Sequence, residues 1–298
     1  MKLGLQIDSF TWPGGPESIA TTLAEIARTA DDVGFDSIWV MDHFFQIRGV
    51  GPVTDPMLEG WTTLGFLAAQ THRARLGLLV GGIHYRTAGL WAKAATTLDV
   101  LSGGRAWLGI GAAWNEDESR ALGFPMPPLG ERFEMLEEML QITLALWTGE
   151  RGTEGAFHGR HYQAGRLLNS PQVLSRPHPP IMIGGGGEKK TLRLVAQYGD
   201  AANVFGDPPR LAHKFAVLRA HCEELGRPYE EIERTTLQDI RLSATGGGSA
   251  RTPAQLVDGF GELADAGVQH VIVSLADVHD LSRLELIGRD VIPSIRDL

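Results

Sequence analysis

The sequence predicts an α/β protein with the (β/α)₈ TIM barrel fold, one domain over residues 1–298 with insertions at its C-terminal face. Eight short apolar runs alternate with eight segments whose apolar residues recur at helical spacing, which is the count of a barrel. No Gly-x-Gly-x-x-Gly sequence follows the first run, which argues against a dinucleotide-binding fold. A doubly wound open sheet is the alternative, but such a sheet rarely needs eight repeats.

Each predicted strand is a short apolar run. The strands cover Leu3–Ile7, Ser37–Met41, Arg75–Val80, Ala106–Ile110, Ile181–Ile183, Ala201–Val204, Thr235–Ser243 and His270–Ser274. Each predicted helix repeats apolar residues every three or four positions, as Ile19, Leu23 and Ile26 do in the first. The helices cover Pro16–Gly34, Trp61–His72, Leu90–Leu101, Leu129–Trp147, Lys190–Tyr198, Pro209–Leu225, Pro253–Ala266 and Leu281–Ile295.

Two connections are longer than the usual two to six residues, and long loops often carry function. The first is Asp42–Glu59. The second, roughly 149–178, is rich in Gly, Arg, His and Pro and contains one predicted hairpin around Phe157–Tyr162. We expect this insertion to lie over the barrel mouth; a surface decoration is the alternative.

The composition indicates which partners to expect. The net charge is −9 and the pI is near 5.6, which argues against nucleic acid or an anionic membrane as the main partner. The start, MKLGLQID, is too short and too quickly polar for a signal peptide, and no apolar run approaches the ~20 residues of a membrane span. We expect a cytoplasmic homodimer that acts on a small molecule. Cys222, the only cysteine, falls in a predicted helix and indicates packing.

Four consecutive glycines join the fifth predicted strand to its helix. A glycine turn lets a ligand approach the backbone closely, and N–H groups at a helix N-terminus favour an anion, typically a phosphate. A tight turn with no ligand is the alternative. The predicted cofactor-binding residues here are Gly184, Gly185, Gly186 and Gly187.

In a barrel the active site lies at the C-terminal ends of the strands, so the residues that follow the strands are candidates. Asp42 and His43 follow the second strand, where a histidine beside a carboxylate can move protons near neutral pH. The alternative is a histidine that only hydrogen-bonds its own loop. Gly82 and Ile83 follow the third strand, and they predict either the close approach of a flat ligand or an ordinary turn.

Gly111 and Asn115 follow the fourth strand. Asn115 offers a donor and an acceptor, which suit the polar edge of a heterocycle. It can equally cap a helix that begins with the acidic segment 116–118.

Five motifs carry a family resemblance. They are LGLQI near the start, GFDSIWVMDHF at 34–44, TLDVLSGGRAWLGIGAAWNEDE at 97–118, GERFEMLEEML at 130–140 and HPPIMIGGGGEKKTLRLVAQYGDAAN at 178–203. The chain resembles the luciferase-like flavin and deazaflavin oxidoreductases, which are (β/α)₈ barrels, and most closely the branch that uses coenzyme F420. The resemblance implies hydride transfer between F420 and a small organic substrate.

The resemblance also implies a role for single residues. Asp42 is expected beside the deazaflavin ring, and His43 near its reacting face; both are the catalytic candidates. Gly82 and Ile83 are expected to form a cis peptide bond that supports the ring. Gly111 and Asn115 are expected to line the ring, and the glycine turn to hold the cofactor phosphate.

One position departs from the family pattern. Sugar-phosphate dehydrogenases of the F420 branch carry a glutamate where this chain has Ala112. A sugar-phosphate substrate and a paired His/Glu acid–base scheme are therefore in doubt. Glu118 is close in the sequence, but nothing in the sequence assigns it a role.

Other functions compete with this interpretation. An FMN-dependent monooxygenase that receives reduced flavin from a partner reductase needs the same barrel and a similar turn. No lysine ends a predicted strand and no His-x-His or HExxH sequence occurs, which argues against a Schiff-base aldolase or a metal hydrolase, and we predict no metal. A non-catalytic cofactor carrier is the third possibility.

Overall fold

The computed structural model describes residues 1–298 and contains a closed barrel of eight parallel strands. The strands are β1 (Lys2–Ile7), β2 (Ser37–Val40), β3 (Arg75–Leu78), β4 (Ala106–Gly111), β5 (Ile181–Gly184), β6 (Ala201–Asn203), β7 (Glu233–Ile240) and β8 (His270–Leu275). Their order is β3-β2-β1-β8-β7-β6-β5-β4, and β3 also pairs with β4 through Leu76 and Ala106. Because that last pairing closes the sheet, the barrel prediction is confirmed and the open sheet is excluded.

Ten helices accompany the strands. They are α1 (Pro16–Val33), α2 (Gly60–Gln70), α3 (Ala88–Leu101), α4 (Glu116–Leu122), α5 (Leu129–Trp147), α6 (Thr191–Tyr198), α7 (Pro208–Leu225), α8 (Pro253–Asp265), α9 (Leu281–Asp290) and α10 (Ile292–Ile295). The helix α4 is not among the eight predicted helices and corresponds to the alternative in which Asn115 caps a helix; α9 and α10 were predicted as one helix. Cys222 is buried in α7, as expected for a packing residue. None of the helices combines the length and the hydropathy that a membrane-crossing segment needs.

Large side chains fill the interior of the barrel. Trp39 of β2 and Trp107 of β4 meet edge to face, with ring centroids 5.6 Å apart, and Met182 and Ile272 join the same cluster. Gly77 of β3 leaves the space for Trp39, because a Cβ at this position would lie 2.6 Å from the indole ring. The interior is therefore packed, as is usual for this fold, and a ligand has to bind at an end of the barrel.

A buried polar chain lies at the N-terminal end of the barrel. Ser37 Oγ is 2.9 Å from His270 Nε2, and His270 Nδ1 is 2.9 Å from the carboxylate of Glu233, which also accepts from Lys2 Nζ at 2.8 Å. Trp39 Nε1 donates to Ser37 Oγ at 2.7 Å. Because Ser37 and His270 are almost fully buried and every member of the chain is hydrogen-bonded, the chain ties β2, β7 and β8 together.

The insertion at 149–178 lies elsewhere than predicted. Its hairpin, Phe157–His158 with Gln163–Ala164, is present, and the segment packs against α5 and α3, for example through Tyr162 N to Glu138 (2.9 Å) and Leu174 N to Asp99 (2.7 Å). None of its residues line the cavity at the barrel mouth. The prediction that it covers the mouth is wrong because α5 carries the chain away from the C-terminal ends of the strands before the insertion begins.

The hydrogen bonds of Glu233 predict how the free energy of unfolding depends on pH. Burial alone would raise the pKa of Glu233, but the hydrogen bonds from His270 and Lys2 outweigh burial and lower the pKa to about 2. A carboxyl with a lowered pKa stabilises the fold above the pKa of the unfolded chain, and this contribution is lost as the pH falls from about 5 towards 2. The contribution at neutral pH is at most about 3 kcal/mol.

We therefore expect Glu233→Gln to lower the free energy of unfolding at pH 7 and to flatten its decline between pH 5 and pH 3. Urea unfolding at several pH values measures both effects. An equally steep decline in the variant and the unaltered protein would show that Glu233 does not titrate as described.

Candidate active site

A cavity of about 1170 Å³ opens at the C-terminal ends of the strands, and all eight strands or the residues directly after them contribute to its wall. Among the predicted site residues, His43, Gly111, Gly184, Gly185, Gly186 and Gly187 line it. Asp42, Gly82, Ile83 and Asn115 do not. The volume is somewhat above the roughly 300–1,000 Å³ of most small-molecule sites, so there is room for a cofactor and a substrate together.

His43 is held by a carboxylate that the sequence did not assign. Its Nδ1 lies 2.9 Å from Glu118 Oε2, and its ring meets that of Trp114 edge to face at 5.4 Å. A carboxylate can only accept, so Nδ1 carries the proton in this contact and Nε2 has no protein partner. This leaves Nε2 free to exchange a proton with a ligand.

The carboxylate of Glu118 accepts four hydrogen bonds. Besides His43, it accepts from the hydroxyl of Tyr85 and from the backbone N–H groups of Phe44 (2.6 Å) and Phe45 (2.8 Å). Burial would raise the pKa of Glu118, but the hydrogen bonds from His43, Tyr85 and the Phe45 backbone outweigh it and lower the pKa. The carboxylate is therefore ionised and fixed, and it orients His43.

Asn115 positions Glu118. Asn115 is the N-cap of α4, and its side-chain oxygen accepts from the backbone N–H of Glu118 at 3.2 Å. The capping alternative is therefore the one observed, and the predicted contact of Asn115 with a ring is not supported, because the residue does not line the cavity. Glu118 is the third residue of this helix, and that position turns its side chain back towards the loop after β2.

The expectation that Asp42 lies beside a bound ring is not supported either, since its side chain points away from the cavity. It is almost fully buried and binds Arg86 through two hydrogen bonds of 2.8 Å, and it accepts from the backbone N–H of Gly82 at 3.1 Å. Burial raises the pKa of Asp42 although Arg86 opposes the effect. Arg86 also donates to Glu59 at 2.5 Å, so one guanidinium holds both ends of the loop from Asp42 to Glu59.

The backbone that follows β3 also differs from the prediction. The cis peptide bond that does not involve proline lies between Leu79 and Val80, so the expectation of one between Gly82 and Ile83 is wrong. Gly81 and Gly82 continue the sheet by pairing with Ile110 and Gly111, and Ile83 is fully buried. It is Val80, earlier in the chain, that faces the cavity.

The Val80 side chain occupies the space that two glycines leave open. A Cβ at Gly111 would lie 3.1 Å from Val80 Cγ2, and one at Gly184 would lie 2.6 Å from the same atom. These glycines therefore admit Val80, and an apolar surface forms at the ends of β3, β4 and β5.

A second histidine in the region does not compete with His43. His84 is buried and its Nε2 lies 2.7 Å from Ser119 Oγ. Burial, with a further contribution from Arg132, lowers the pKa of His84 to about 4, so it is neutral at physiological pH. His84 does not line the cavity, whereas His43 does.

The glycine turn presents a run of free donors. Gly185 has a φ of 126°, which favours glycine, and its N–H donates to Asn203 O at 2.9 Å. The backbone N–H groups of residues 186–191 donate to no protein acceptor, and no side chain caps α6. Six unpaired N–H groups around a helix N-terminus are the arrangement that binds an anion.

Comparisons with known proteins define the family. The luciferase-like monooxygenase family model matches residues 1–245. The chain therefore belongs to the luciferase-like monooxygenase family. It is 33% identical over 232 residues to the F420-dependent glucose-6-phosphate dehydrogenase of Kineococcus radiotolerans; the match covers 74% of this chain and 63% of that relative.

Solved structures share the fold at low identity. The coenzyme F420-dependent tetrahydromethanopterin reductase of Methanopyrus kandleri matches with a TM-score of 0.80 and 18% identity, over 99% of both chains. The oxygenating constituent of 3,6-diketocamphane monooxygenase from Pseudomonas putida, in complex with FMN, matches with a TM-score of 0.75 and 17% identity, over 99% of this chain and 98% of that one. Both comparisons support the barrel.

The buried Asp42–Arg86 pair predicts a large effect of one substitution. Arg86→Leu leaves a buried carboxylate without its partner, which typically costs about 3–5 kcal/mol of folding free energy. The double variant Asp42→Asn/Arg86→Leu should lose less than the single Arg86→Leu variant, since it leaves no fully buried carboxylate without a partner. Urea unfolding measures these differences.

Arg289→Leu is the matched control, because it breaks an exposed ion pair with Asp290 and should leave the free energy of unfolding nearly unchanged. If Arg86→Leu proved as mild as this control, the Asp42–Arg86 pair would not be the support of the loop.

Proposed function

We propose that this protein is an F420-dependent oxidoreductase that transfers a hydride between the deazaflavin and a small organic substrate. The observation that carries the proposal is one cavity that contains both His43, oriented by Glu118, and the uncapped glycine turn. The F420-dependent dehydrogenase of Kineococcus radiotolerans, similar over 74% of this chain, supports F420 as the cofactor. Because the chain spans only 63% of that relative's length, the relative's activity comes to this chain only as a proposal.

The residues of the cavity fit such a cofactor. Val80, with Gly111 and Gly184 behind it, provides an apolar surface for the flat ring system. Gly186 and Gly187 offer unpaired N–H groups to its phosphate. An apolar surface at the ends of β3, β4 and β5 beside the donors of the β5–α6 turn suits a ligand with a flat head and an anionic tail.

The bound deazaflavin would supply two-electron hydride chemistry, and the protein would position the substrate and manage one proton. His43 is the residue for that proton, since Nε2 is free while Nδ1 is held by Glu118. The ionised Glu118 stabilises the imidazolium when Nε2 takes a proton and keeps the ring in one orientation. His43 is thus the proposed acid–base residue, and Glu118, which does not line the cavity, positions it.

The sequence around the proposed substrate site departs from the pattern of the sugar-phosphate dehydrogenases. The glutamate of sugar-phosphate dehydrogenases is replaced by Ala112, and Glu118 reaches His43 from α4 instead. We therefore propose a small organic substrate and assign no sugar phosphate. An FMN-dependent monooxygenase is the second candidate, which the fold shared with the Pseudomonas putida protein leaves open.

A cofactor titration separates the two candidates. We expect the purified protein to bind F420 more tightly than FMN, as followed by the quenching of cofactor fluorescence. Tighter binding of FMN, or oxygen consumption with reduced FMN, would favour the monooxygenase.

Two substitutions test the proposed roles of His43 and Glu118. His43→Asn should reduce kcat by roughly 10²–10⁴ with little change in cofactor affinity, because only proton transfer is lost. Glu118→Gln keeps an acceptor for the loop but removes the negative charge, and it should reduce kcat by a smaller factor. A His43→Asn variant with an unchanged kcat would remove His43 from the chemistry.

From the sequence we also expect a cytoplasmic homodimer. Sedimentation equilibrium of the purified protein measures the oligomeric state.

A further inference from the structure

A second cavity lies at the N-terminal end of the barrel, at the opposite end from the mouth that contains His43. Its volume is about 330 Å³, at the lower limit of the roughly 300–1,000 Å³ of small-molecule sites. The first or second residue of six strands lines this N-terminal cavity: Lys2, Ser37, Arg75, Trp107, Glu233 and His270. None of them lines the cavity at the mouth, so the two cavities are separate.

One polar atom in the wall of the N-terminal cavity has no partner. Trp107 is only 4% exposed, and its indole Nε1 makes no hydrogen bond. A buried donor without an acceptor typically costs about 1–3 kcal/mol of folding free energy. The neighbouring Trp39 avoids this cost, because its Nε1 donates to Ser37 Oγ at 2.7 Å. Trp61 has the other buried indole N–H without a partner, but it lines neither cavity. Trp107 therefore indicates an acceptor that the chain itself does not supply.

Arg75 brings an unpaired positive charge to the same wall. Its side chain is exposed and forms no ion pair or side-chain hydrogen bond within the protein. Gly77, two residues after Arg75 in β3, lies opposite Trp107 in β4. Because residues two apart in a strand point to the same face, Arg75 and Trp107 are on the inner face of neighbouring strands. The cavity wall thus contains two donors, a guanidinium and an indole N–H, that have no acceptor.

The carboxylates of the N-terminal cavity are neutralised by other residues. Asp36 accepts from Arg296 Nη1 at 3.0 Å, and Glu233 is paired with Lys2 and His270. Four basic side chains and two carboxylates line the cavity, which gives a net charge of +2 with His270 counted as neutral. The protein as a whole has a net charge of −9, so the cavity is a local positive region on an acidic protein.

The serine in this cavity is not available as a nucleophile. Ser37 is almost fully buried, and its Oγ accepts from Trp39 Nε1 and lies 2.9 Å from His270 Nε2. His270 Nδ1 faces the carboxylate of Glu233 and carries the proton there, so Nε2 accepts from the Ser37 hydroxyl. The hydroxyl proton is therefore already donated within the protein. This arrangement favours binding at the cavity over catalysis.

We propose that the N-terminal cavity binds a small oxyanion, a carboxylate or a phosphate, between the Arg75 guanidinium and the indole N–H of Trp107. The ionised oxygens of such an ion accept hydrogen bonds, which is what two donors without an acceptor need. A guanidinium binds carboxylate and phosphate oxygens through paired N–H groups. An ion that binds only the folded protein also stabilises the fold. This site involves neither His43 nor the glycine turn, so it does not rest on the proposed function.

The test follows the indole N–H signals in NMR spectra of protein that contains isotope-labelled tryptophan. Inorganic phosphate and acetate are titrated separately, and the ion that saturates at the lower concentration identifies the class. We expect the signal of Trp107, assigned by its loss in Trp107→Phe, to shift along a saturating curve. Phosphate that binds at the mouth would instead move the signals of Trp12 and Trp114, which line that cavity.

Arg75→Leu removes the charge, and because the side chain is exposed the variant should keep its fold. We expect it to bind the ion at least tenfold more weakly, about 1.4 kcal/mol, as followed by the Trp107 signal. Arg151→Leu is the matched control, since it removes an exposed arginine that lines neither cavity, and its affinity should equal that of the unaltered protein.

Two results would overturn the proposal. One is a Trp107 signal that moves with neither phosphate nor acetate, and the other is an equal affinity of Arg75→Leu and Arg151→Leu for the ion. If Trp107→Phe does not fold, thermal unfolding in phosphate and in acetate gives the answer instead. The ion should then raise the Tm of the unaltered protein more than that of Arg75→Leu, and an equal rise in both would refute the site.

Discussion

The carboxylate of Glu118 connects the parts of the barrel mouth on which the site depends. It accepts hydrogen bonds from His43, from Tyr85 and from the backbone of Phe44 and Phe45, and so joins α4 to the loops after β2 and β3. A buried carboxylate is stable only when its oxygens are satisfied, and here both are. The interaction that stabilises the loop is therefore the same one that orients the catalytic candidate.

Asp42 and His43 are neighbours in sequence but have opposite roles in the structure. The Asp42 carboxylate turns into the protein and pairs with Arg86, whereas His43 faces the cavity. Arg86 also contacts Glu59, so the long loop between these two acidic residues is closed by one guanidinium. Asp42 contributes to the site by holding the loop that presents His43, and His43 alone is the proposed acid–base residue.

The cavity wall has an apolar part and a part made of hydrogen-bond donors. Apolar Val80 sits where β3, β4 and β5 end, and the donors of the glycine turn lie on the β5–α6 side. Between them they suit a ring with an anionic tail, while His43 faces the cavity from the loop after β2 and is held in place by Glu118 of α4. Because the rest of the barrel interior is filled by Trp39, Trp107 and their neighbours, these groups are confined to a single end of the barrel.

Local patterns in the sequence determined the barrel, the eight strand positions within a few residues, the glycine turn and His43 as candidates. Such features depend on periodicity and on residues adjacent in the chain, which the sequence displays directly. Contacts between distant segments decided the rest. Glu118 lies 75 residues from His43, the partner of Asp42 is 44 residues away, and the packing of Val80 needs glycines from two other strands. Only the closed barrel brings these residues together, and a side chain can turn towards the cavity or away from it according to which partner satisfies its charge.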